Sequence, residues 1–345
     1  MSFEQTGSAV WKIRSSDRPV LMANITHNGR KHRVPDFIIG GGMKCATTSL
    51  HHMLGRHPDV FIPDYELKFF SVDDFVQQPE FVYPRGNGEW ISYDYERFFD
   101  EYLEWYSAFF EPAETNHLIG EDTPTYLAAE HAPQRIANLL PGVKLIFLLR
   151  NPVERTYSHY WHWVRSGRAF YSFEDCLRFQ TVPLLQRSFY REQLQAYFDR
   201  FDASQIKVVL FEQLVKEPEV VFHDVLGFLG LSEAPLAPES SAKNLGSTPR
   251  FKKLKLLHNR LMRTFIGYKH TNFLPGNVKD VIPRRWGYID KILRTVNPMR
   301  PVKPKPMGDE SRKFLTDYFV RRNAGLSELL GYSLTPYWGK EFENI

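Results

Sequence analysis

The sequence predicts an α/β domain built on a central parallel sheet with helices on both faces. Three observations carry this reading. Continuously apolar runs recur at Pro35-Asp-Phe-Ile-Ile-Gly40, Lys144-Leu-Ile-Phe-Leu-Leu-Arg150 and Ile206 to Phe211. They lack the alternation of a strand wetted on one face, so they read as strands buried on both. Segments of helical periodicity separate them, as parallel crossovers require. The length, 345 residues, is long for one domain and short for three.

The elements follow in order. The Pro35 run ends in three glycines, and a helix begins near Thr47 and continues through Leu50, His51 and Leu54. Residues 95–110 place Phe98, Phe99, Tyr102 and Trp105 at helical spacing. His117 to Gly120 is a short strand, and residues 132–140 form a helix stopped by Pro141-Gly142. After the Lys144 strand, Pro152 suits the first turn of a helix that runs to about Ser166-Gly167. Helices are also expected at 187–201, at Pro218 to Leu229 before Gly230, and at 309–330. Four prolines in 298–307 mark an extended linker. We therefore expect an irregular extension at 1–33, one domain at 34–335 and a tail at 336–345.

Composition excludes several classes. With 43% hydrophobic and 24% charged residues the chain is neither disordered nor fibrous. Two cysteines, Cys45 and Cys176, supply neither a disulfide framework nor a four-ligand zinc site. No metal is expected. No apolar run approaches the ~20 residues of a membrane helix, and the first 30 residues hold no apolar signal core. A cytoplasmic location is the expectation.

Charge is uneven. Residues 250–305 carry fifteen Lys or Arg against two acids, a net +13 in a chain whose total is +4. Leu254, Leu257, Leu261 and Phe265 interleave with the cations at helical spacing. A solvated amphipathic helix, an anionic ligand site, and contact with an acidic polymer or membrane surface are all compatible with this. No helix-turn-helix, zinc-finger or RNP pattern accompanies the charge, so nucleic acid is not expected. The segment interrupts the strand–helix alternation, which suggests a cap or lid.

Two strand-to-helix junctions carry the chemistry. Gly40-Gly41-Gly42-Met43-Lys44-Cys45-Ala46-Thr47-Thr48-Ser49 has the makings of a phosphate cradle. Glycines allow a tight turn, a helix start offers N–H groups and a positive field, hydroxyls donate, and Lys44 adds a full charge. It is not a Walker A loop: counted from Gly40, Cys45 and Ala46 stand where glycine and lysine belong. No acid closes the second strand to hold magnesium, and Glu212 after the third is a weak substitute. The second junction, Leu149-Arg-Asn-Pro-Val-Glu-Arg-Thr-Tyr-Ser-His-Tyr160, puts Arg150 at a strand's carboxyl end and Ser158 two turns into a helix. An arginine fork and a hydroxyl suit a second phosphate.

Together these segments resemble the sulfotransferases that use PAPS, 3′-phosphoadenosine 5′-phosphosulfate. Lys44-Cys-Ala-Thr-Thr-Ser-Leu50 is similar to their 5′-phosphosulfate loop, and Leu149 to Tyr160 to their 3′-phosphate segment. Glu66-Leu-Lys-Phe-Phe70, Gly120-Glu-Asp-Thr-Pro-Thr-Tyr126, Tyr190 with Gln193-Leu194, Phe211-Glu-Gln-Leu214 and Phe228-Leu-Gly230 extend the likeness over about residues 35–335. It leans toward the carbohydrate branch and implies a P-loop NTPase-like three-layer sandwich. It also implies transfer of a sulfuryl group to a hydroxyl or amine, with release of 3′,5′-ADP and without a metal. The acceptor would be a glycan, a glycolipid or a small-molecule alcohol. A kinase or NTPase, and a non-catalytic nucleotide or carbohydrate binder, are the competing classes.

The resemblance assigns Lys44 to the leaving oxygen, Glu66 to the base and Lys68 to orienting Glu66. It assigns donor binding to Gly42, Lys44, Cys45, Ala46, Thr47, Thr48, Ser49, Arg150, Ser158 and Tyr190, with Arg250 on a closing loop. The acceptor face would include Glu66, Asp122, Trp161, His162, Trp163, Arg165 and Arg168. Asp122 stands where some heparan sulfate enzymes carry lysine, which argues against a highly anionic acceptor such as heparan sulfate and leaves open whether Asp122 shares the base role.

Overall fold

A computed structural model describes residues 24–84, 90–169, 171–236, 247–261, 284–301 and 305–345. Within them the strands are β1 (Asn24–His27), β2 (Arg30–Arg33), β3 (Phe37–Gly41), β4 (Val60–Phe61), β5 (Tyr83–Pro84), β6 (Trp90–Ile91), β7 (Leu118–Asp122), β8 (Lys144–Leu149), β9 (Ile206–Leu210), β10 (Ser247–Pro249) and β11 (Met299–Pro301). The helices in the first half are α1 (Thr47–Leu54), α2 (Phe99–Ala108), α3 (Ala132–Leu139) and α4 (Pro152–Ser166), followed by α5 (Phe173–Phe179), α6 (Thr181–Leu185) and α7 (Tyr190–Phe198). The rest are α8 (Phe211–Lys216), α9 (Pro218–Leu229), α10 (Lys252–Leu261), α11 (Arg284–Val296), α12 (Asp309–Arg322), α13 (Leu326–Leu330) and α14 (Thr335–Trp338).

The central sheet has five parallel strands in the order β4-β7-β3-β8-β9. Its middle strand shows why the runs read as they do. Ile38 joins a core with Leu145, Phe147 and Leu149, while Phe37 and Ile39 join another with Ile146, Leu148 and Val209. The pleat sends alternate residues to opposite faces, and helices cover both, so every position must be apolar. Each such side chain contributes about 1.5–3 kcal/mol by leaving water. Gly120 of β7 is required by this packing: a Cβ there would stand 2.3 Å from the Phe37 ring.

Four expectations need correction. From Asn24 onward the extension is not irregular: β1 and β2 form an antiparallel hairpin. Asn28 and Gly29 turn it with φ of 49° and 76°, the left-handed pair such turns demand. The hairpin docks on α2 through His27 to Asp100 (2.6 Å) and Arg30 to Glu104. Its polar strands carry no apolar signal, and residues 1–23 lie outside the described residues. Residues 336–345 are not a loose tail, since Trp338, Phe342 and Ile345 are buried and Ile345 O accepts from Ser327 N at 3.0 Å. The helix expected at 309–330 breaks at Asn323, whose side chain donates to Ser188 O at 3.0 Å and accepts from Arg191 N. Within the proline-rich linker, Met299–Pro301 is a strand paired with β10.

The described parts of the basic segment are seated on the end of α4. Asn297 clamps Phe251 by its side chain, accepting from the backbone N at 2.8 Å and donating to the O at 2.9 Å. His258 of α10 meets Asp290 of α11 at 2.9 Å, and Asn259 donates to Ser166 O at 2.8 Å and Gly167 O at 3.1 Å. Phe265 and the rest of 262–283 lie outside the described residues.

Candidate active site

The site forms where β3 and β8, neighbours in the middle of the sheet, release the chain into α1 and α4. Open parallel sheets bind ligands at such carboxyl ends. In the first loop Gly42 N donates to Leu148 O at 2.6 Å, and Cys45 N donates to Gly42 O at 3.1 Å. The turn thereby uses two N–H groups that the sequence reading assigned to the donor. Lys44 and Ala46 sit at φ of 70° and 72°. Left-handed conformations cost non-glycine residues about 1–2 kcal/mol each, and such strain collects at functional sites. No side chain caps α1, and no acid occupies its first turn. The N–H groups of Thr47 and Thr48 therefore have no acceptor inside the helix, and they stand in its positive field. Thr48 is exposed and Ser49 half-buried, while Thr47 is buried.

Cys45 turns its thiol into the core, 3.9 Å from Tyr190 Oη, and burial pushes its pKa up to about 11. Tyr190 is itself fully buried and donates to Arg150 O at 2.9 Å. It positions the end of β8 from behind. Arg150 leans on the Phe211 ring, 4.3 Å from its centroid, and donates to Lys44 O at 3.4 Å. Ser158 is half-buried on α4.

Positive charge concentrates here. Burial, then the charges of Arg165 and Arg150, hold the Lys44 ammonium below its usual pKa. Behind stand two buried guanidiniums that sequence reading did not single out. Arg155 donates to Ser188, Leu184 O and Thr156. Arg187 grips Gln77 through Oε1 at 2.7 Å and the backbone O at 3.2 Å, and its pKa falls to about 10 through burial and Arg155. Among the described residues none of Lys44, Arg150, Arg155, Arg165 and Arg187 has a carboxylate within ion-pair distance. Five cations gathered with no carboxylate in ion-pair contact fit an anion of several charges. His162 of α4 is held neutral at pH 7: burial, then Lys44, Arg165, Arg168 and Arg187, push its pKa down to about 4.

Facing them is an acidic side. Glu66 leaves 47% of its side chain open. The rest is enclosed, so burial raises its pKa, Lys68 opposes this, and Asp122 and Glu80 add to it. Lys68 lies 4.0 Å from Glu66 but 3.3 Å from Glu80, so Glu80 shares its charge. The segment is pinned from the buried Glu121. Thr123 Oγ1 accepts from Lys68 N at 3.1 Å and donates to Glu121 at 2.9 Å. Tyr126 Oη accepts from Phe70 N at 3.3 Å and donates to Glu121 at 2.6 Å. Asp122 is 5% exposed, with one oxygen 3.4 Å from His51 Nδ1 and the other without a hydrogen-bond partner.

Several other expected residues make packing contacts of their own. Trp163 is buried with its ring 4.8 Å from His159, and Trp161 packs against Tyr157 and Tyr160. Both are explained by helix packing. Arg250 is exposed and stacks 4.9 Å from the Phe251 centroid in the basic module. Glu212 accepts from Asn151 N at 2.9 Å and from Trp338 Nε1 at 3.1 Å, so both oxygens serve the scaffold. That removes the acid a magnesium-dependent kinase reading would have used.

Comparison with known proteins agrees with this geometry. A model described as the sulfotransferase family matches residues 35–235. Human bifunctional heparan sulfate N-deacetylase/N-sulfotransferase 2 is 27% identical over 327 residues, covering 90% of this chain and 31% of the relative. Mouse bifunctional heparan sulfate N-deacetylase/N-sulfotransferase 1 is 30% identical over 326 residues, with the same two coverages. The chain thus spans about a third of the length of these relatives. The fold matches the crystal structure of a sulfotransferase from Alicyclobacillus acidocaldarius with a TM-score of 0.57 at 24% identity, covering 88% of this chain and 98% of that one. With the family model covering more than half of its residues, this chain belongs to the sulfotransferase family.

Proposed function

We propose that the chain moves the sulfuryl group of PAPS to an acceptor hydroxyl or amine and releases 3′,5′-ADP. The observation that carries this is the cluster of five cations without carboxylate partners, at two adjacent strand ends and beside an uncapped helix, with Glu66 opposite. These residues fit the donor. The first loop suits its 5′ end, and Arg150 with Ser158 suits a phosphate at the 3′ position. A bound donor supplies an activated sulfuryl group on a phosphate leaving group.

The chain's own residues do the rest. Lys44 Nζ and the N–H groups of Thr47 and Thr48 hold the negative charge that gathers on the leaving oxygen. A desolvated cation does this more strongly than a hydrated one. Glu66 accepts the acceptor's proton on its carboxylate, and its raised pKa makes it a stronger base than an ordinary glutamate. Lys68, Glu80 and the Glu121 network keep it in place. His162, uncharged, contributes no further positive charge near Lys44.

Beside Glu66 the acceptor end carries Glu80 and Asp122 against Lys68, with Arg165 and Arg168 on the α4 side. The acids next to Glu66 favour a neutral or amine-bearing group at the point of transfer, such as that of a carbohydrate, glycolipid or small alcohol. The relatives named for heparan sulfate N-sulfotransfer make an amino sugar the first acceptor to try.

Calorimetry with 3′,5′-ADP and with ATP, in EDTA, tests the donor. Tight metal-independent binding of 3′,5′-ADP with weak ATP binding is expected. A preference for ATP, or a need for magnesium, would overturn the proposal.

A further inference from the structure

We infer that the described parts of the basic module, 247–261 and 284–301, dock this protein on an anionic phospholipid bilayer. The inference does not depend on which group the active site transfers.

The module uses one side of α11 to hold itself together. Asp290 meets His258 of α10 and Arg294 of the next turn, and Asn297 clamps Phe251. Tyr288 and Ile292 lie two positions either side of Asp290, about 160° around the helix from it. They face away from α10. Tyr288, Ile292 and Val296 follow the i, i+4, i+8 pattern of one stripe, and they are 67%, 61% and 55% exposed. Leu257, Phe251 and Met299 add exposed apolar surface in the same module. Six of the eighteen exposed large apolar side chains among the described residues fall in this short module. Such concentration marks an interaction surface.

The charge identifies what it meets. Arg250, Lys253, Lys291, Arg294 and Arg300 of the same module are exposed. The surrounding segment, 250–305, carries a net +13. A helix lying in the plane of a bilayer buries such a stripe at the acyl boundary while its cations meet the headgroup phosphates. A polyanionic glycan would satisfy the cations but would gain nothing from six exposed apolar side chains. The seat of the module matters too. Asn259 fastens it to Ser166 and Gly167, beside Arg165 and Arg168, whose charges reach the active-site face of α4. A docked protein therefore works close to the membrane surface.

Co-sedimentation of the full chain with sucrose-loaded vesicles tests this, using phosphatidylcholine alone or mixed with phosphatidylglycerol. Binding to the mixed vesicles, absent with phosphatidylcholine alone and released by salt, is expected. The double variant Ile292→Ser/Val296→Ser should weaken it about tenfold, and Lys253→Glu/Lys291→Glu by at least as much. All four positions are exposed, and unchanged 3′,5′-ADP or ATP binding and circular dichroism check that the variants fold. No binding to phosphatidylglycerol vesicles would overturn the inference. So would binding that the apolar double variant leaves intact. Heparin displacing the chain with no loss in the apolar variant would assign the surface to a polyanionic glycan instead.

Discussion

The two junctions that make the site, β3 to α1 and β8 to α4, have the same topology and opposite solutions to one problem. Every helix start leaves N–H groups without partners. At α4 the chain answers from within: Asn151 Oδ1 accepts from Val153 N at 3.0 Å and Glu154 N at 3.3 Å. Asn151 is itself held by Glu212 and by Trp338 O. At α1 Ala46 has no side chain to offer, and the loop before it bends through two left-handed residues. The capped junction satisfies its own N–H groups and, in the proposed function, lends the donor only side chains, Arg150 and Ser158. The bare junction leaves the first N–H groups of α1 without a side-chain acceptor, open to an anion. Function is written where local structure is left unsatisfied.

The largest effect should come from the bare junction. Lys44→Ala should lower turnover roughly 10²–10³-fold, the usual loss of a donor to developing negative charge, while 3′,5′-ADP binding falls far less. Equal losses in rate and binding would place Lys44 in ground-state binding alone. At the capped junction the pattern should reverse. Arg150→Ala should weaken 3′,5′-ADP by roughly tenfold or more, as for a lost charge-assisted contact, and change the rate at saturation little. If Arg150→Ala instead cut the saturated rate as deeply as Lys44→Ala, the division of labour between the junctions would fail.

The pH profile sharpens the contrast between the two sides of the site. In the proposed mechanism turnover needs Glu66 ionised and Lys44 charged. Its acid limb should therefore lie above the ordinary carboxylate range, because Glu66 is raised, and its alkaline limb below the ordinary lysine range, because Lys44 is lowered. Asp122 is one of the charges pushing Glu66 up. Asp122→Asn should move the acid limb of kcat/KM to lower pH by a fraction of a unit and leave the alkaline limb in place. An unmoved acid limb would remove Glu66 as the titrating base, and loss of all activity would give Asp122 a direct part in it.

The sequence made the sheet legible where burial on both faces leaves no choice, at β3, β8 and β9. It hid β4, whose two residues are too short for any period, and the N-terminal hairpin, whose strands are polar because they lie on the surface. Of the proposed site, Lys44 and Arg150 were read from turn chemistry and family likeness, and Glu66 from likeness alone. Arg155 and Arg187 were not. A buried arginine reads like a surface one until tertiary structure encloses it, and Gln77, which holds Arg187, comes from a distant segment. Tyr190 and Cys45 were placed correctly in the chain but turn inward. Spacing along the chain tells which residues approach a loop, not which way their side chains leave it.

The smallest effects test the comparison at the level of stability. Asn151→Ala removes a cap with two acceptor bonds and should cost about 1 kcal/mol, lowering Tm by a few degrees, with little change in 3′,5′-ADP affinity. Ala46→Gly should act in the other direction. Relief of a left-handed alanine is worth about 1–2 kcal/mol, and the added freedom of the unfolded chain takes back about 0.4–1 kcal/mol. The net gain should lie between about 0 and 1.6 kcal/mol, read as at most a small rise in Tm. If the strain aims the first N–H groups of α1, the same variant should bind 3′,5′-ADP more weakly although it is more stable. A variant that gains stability and keeps its affinity would show that the bend at Ala46 is a consequence of the tight loop and has no part in holding the anion.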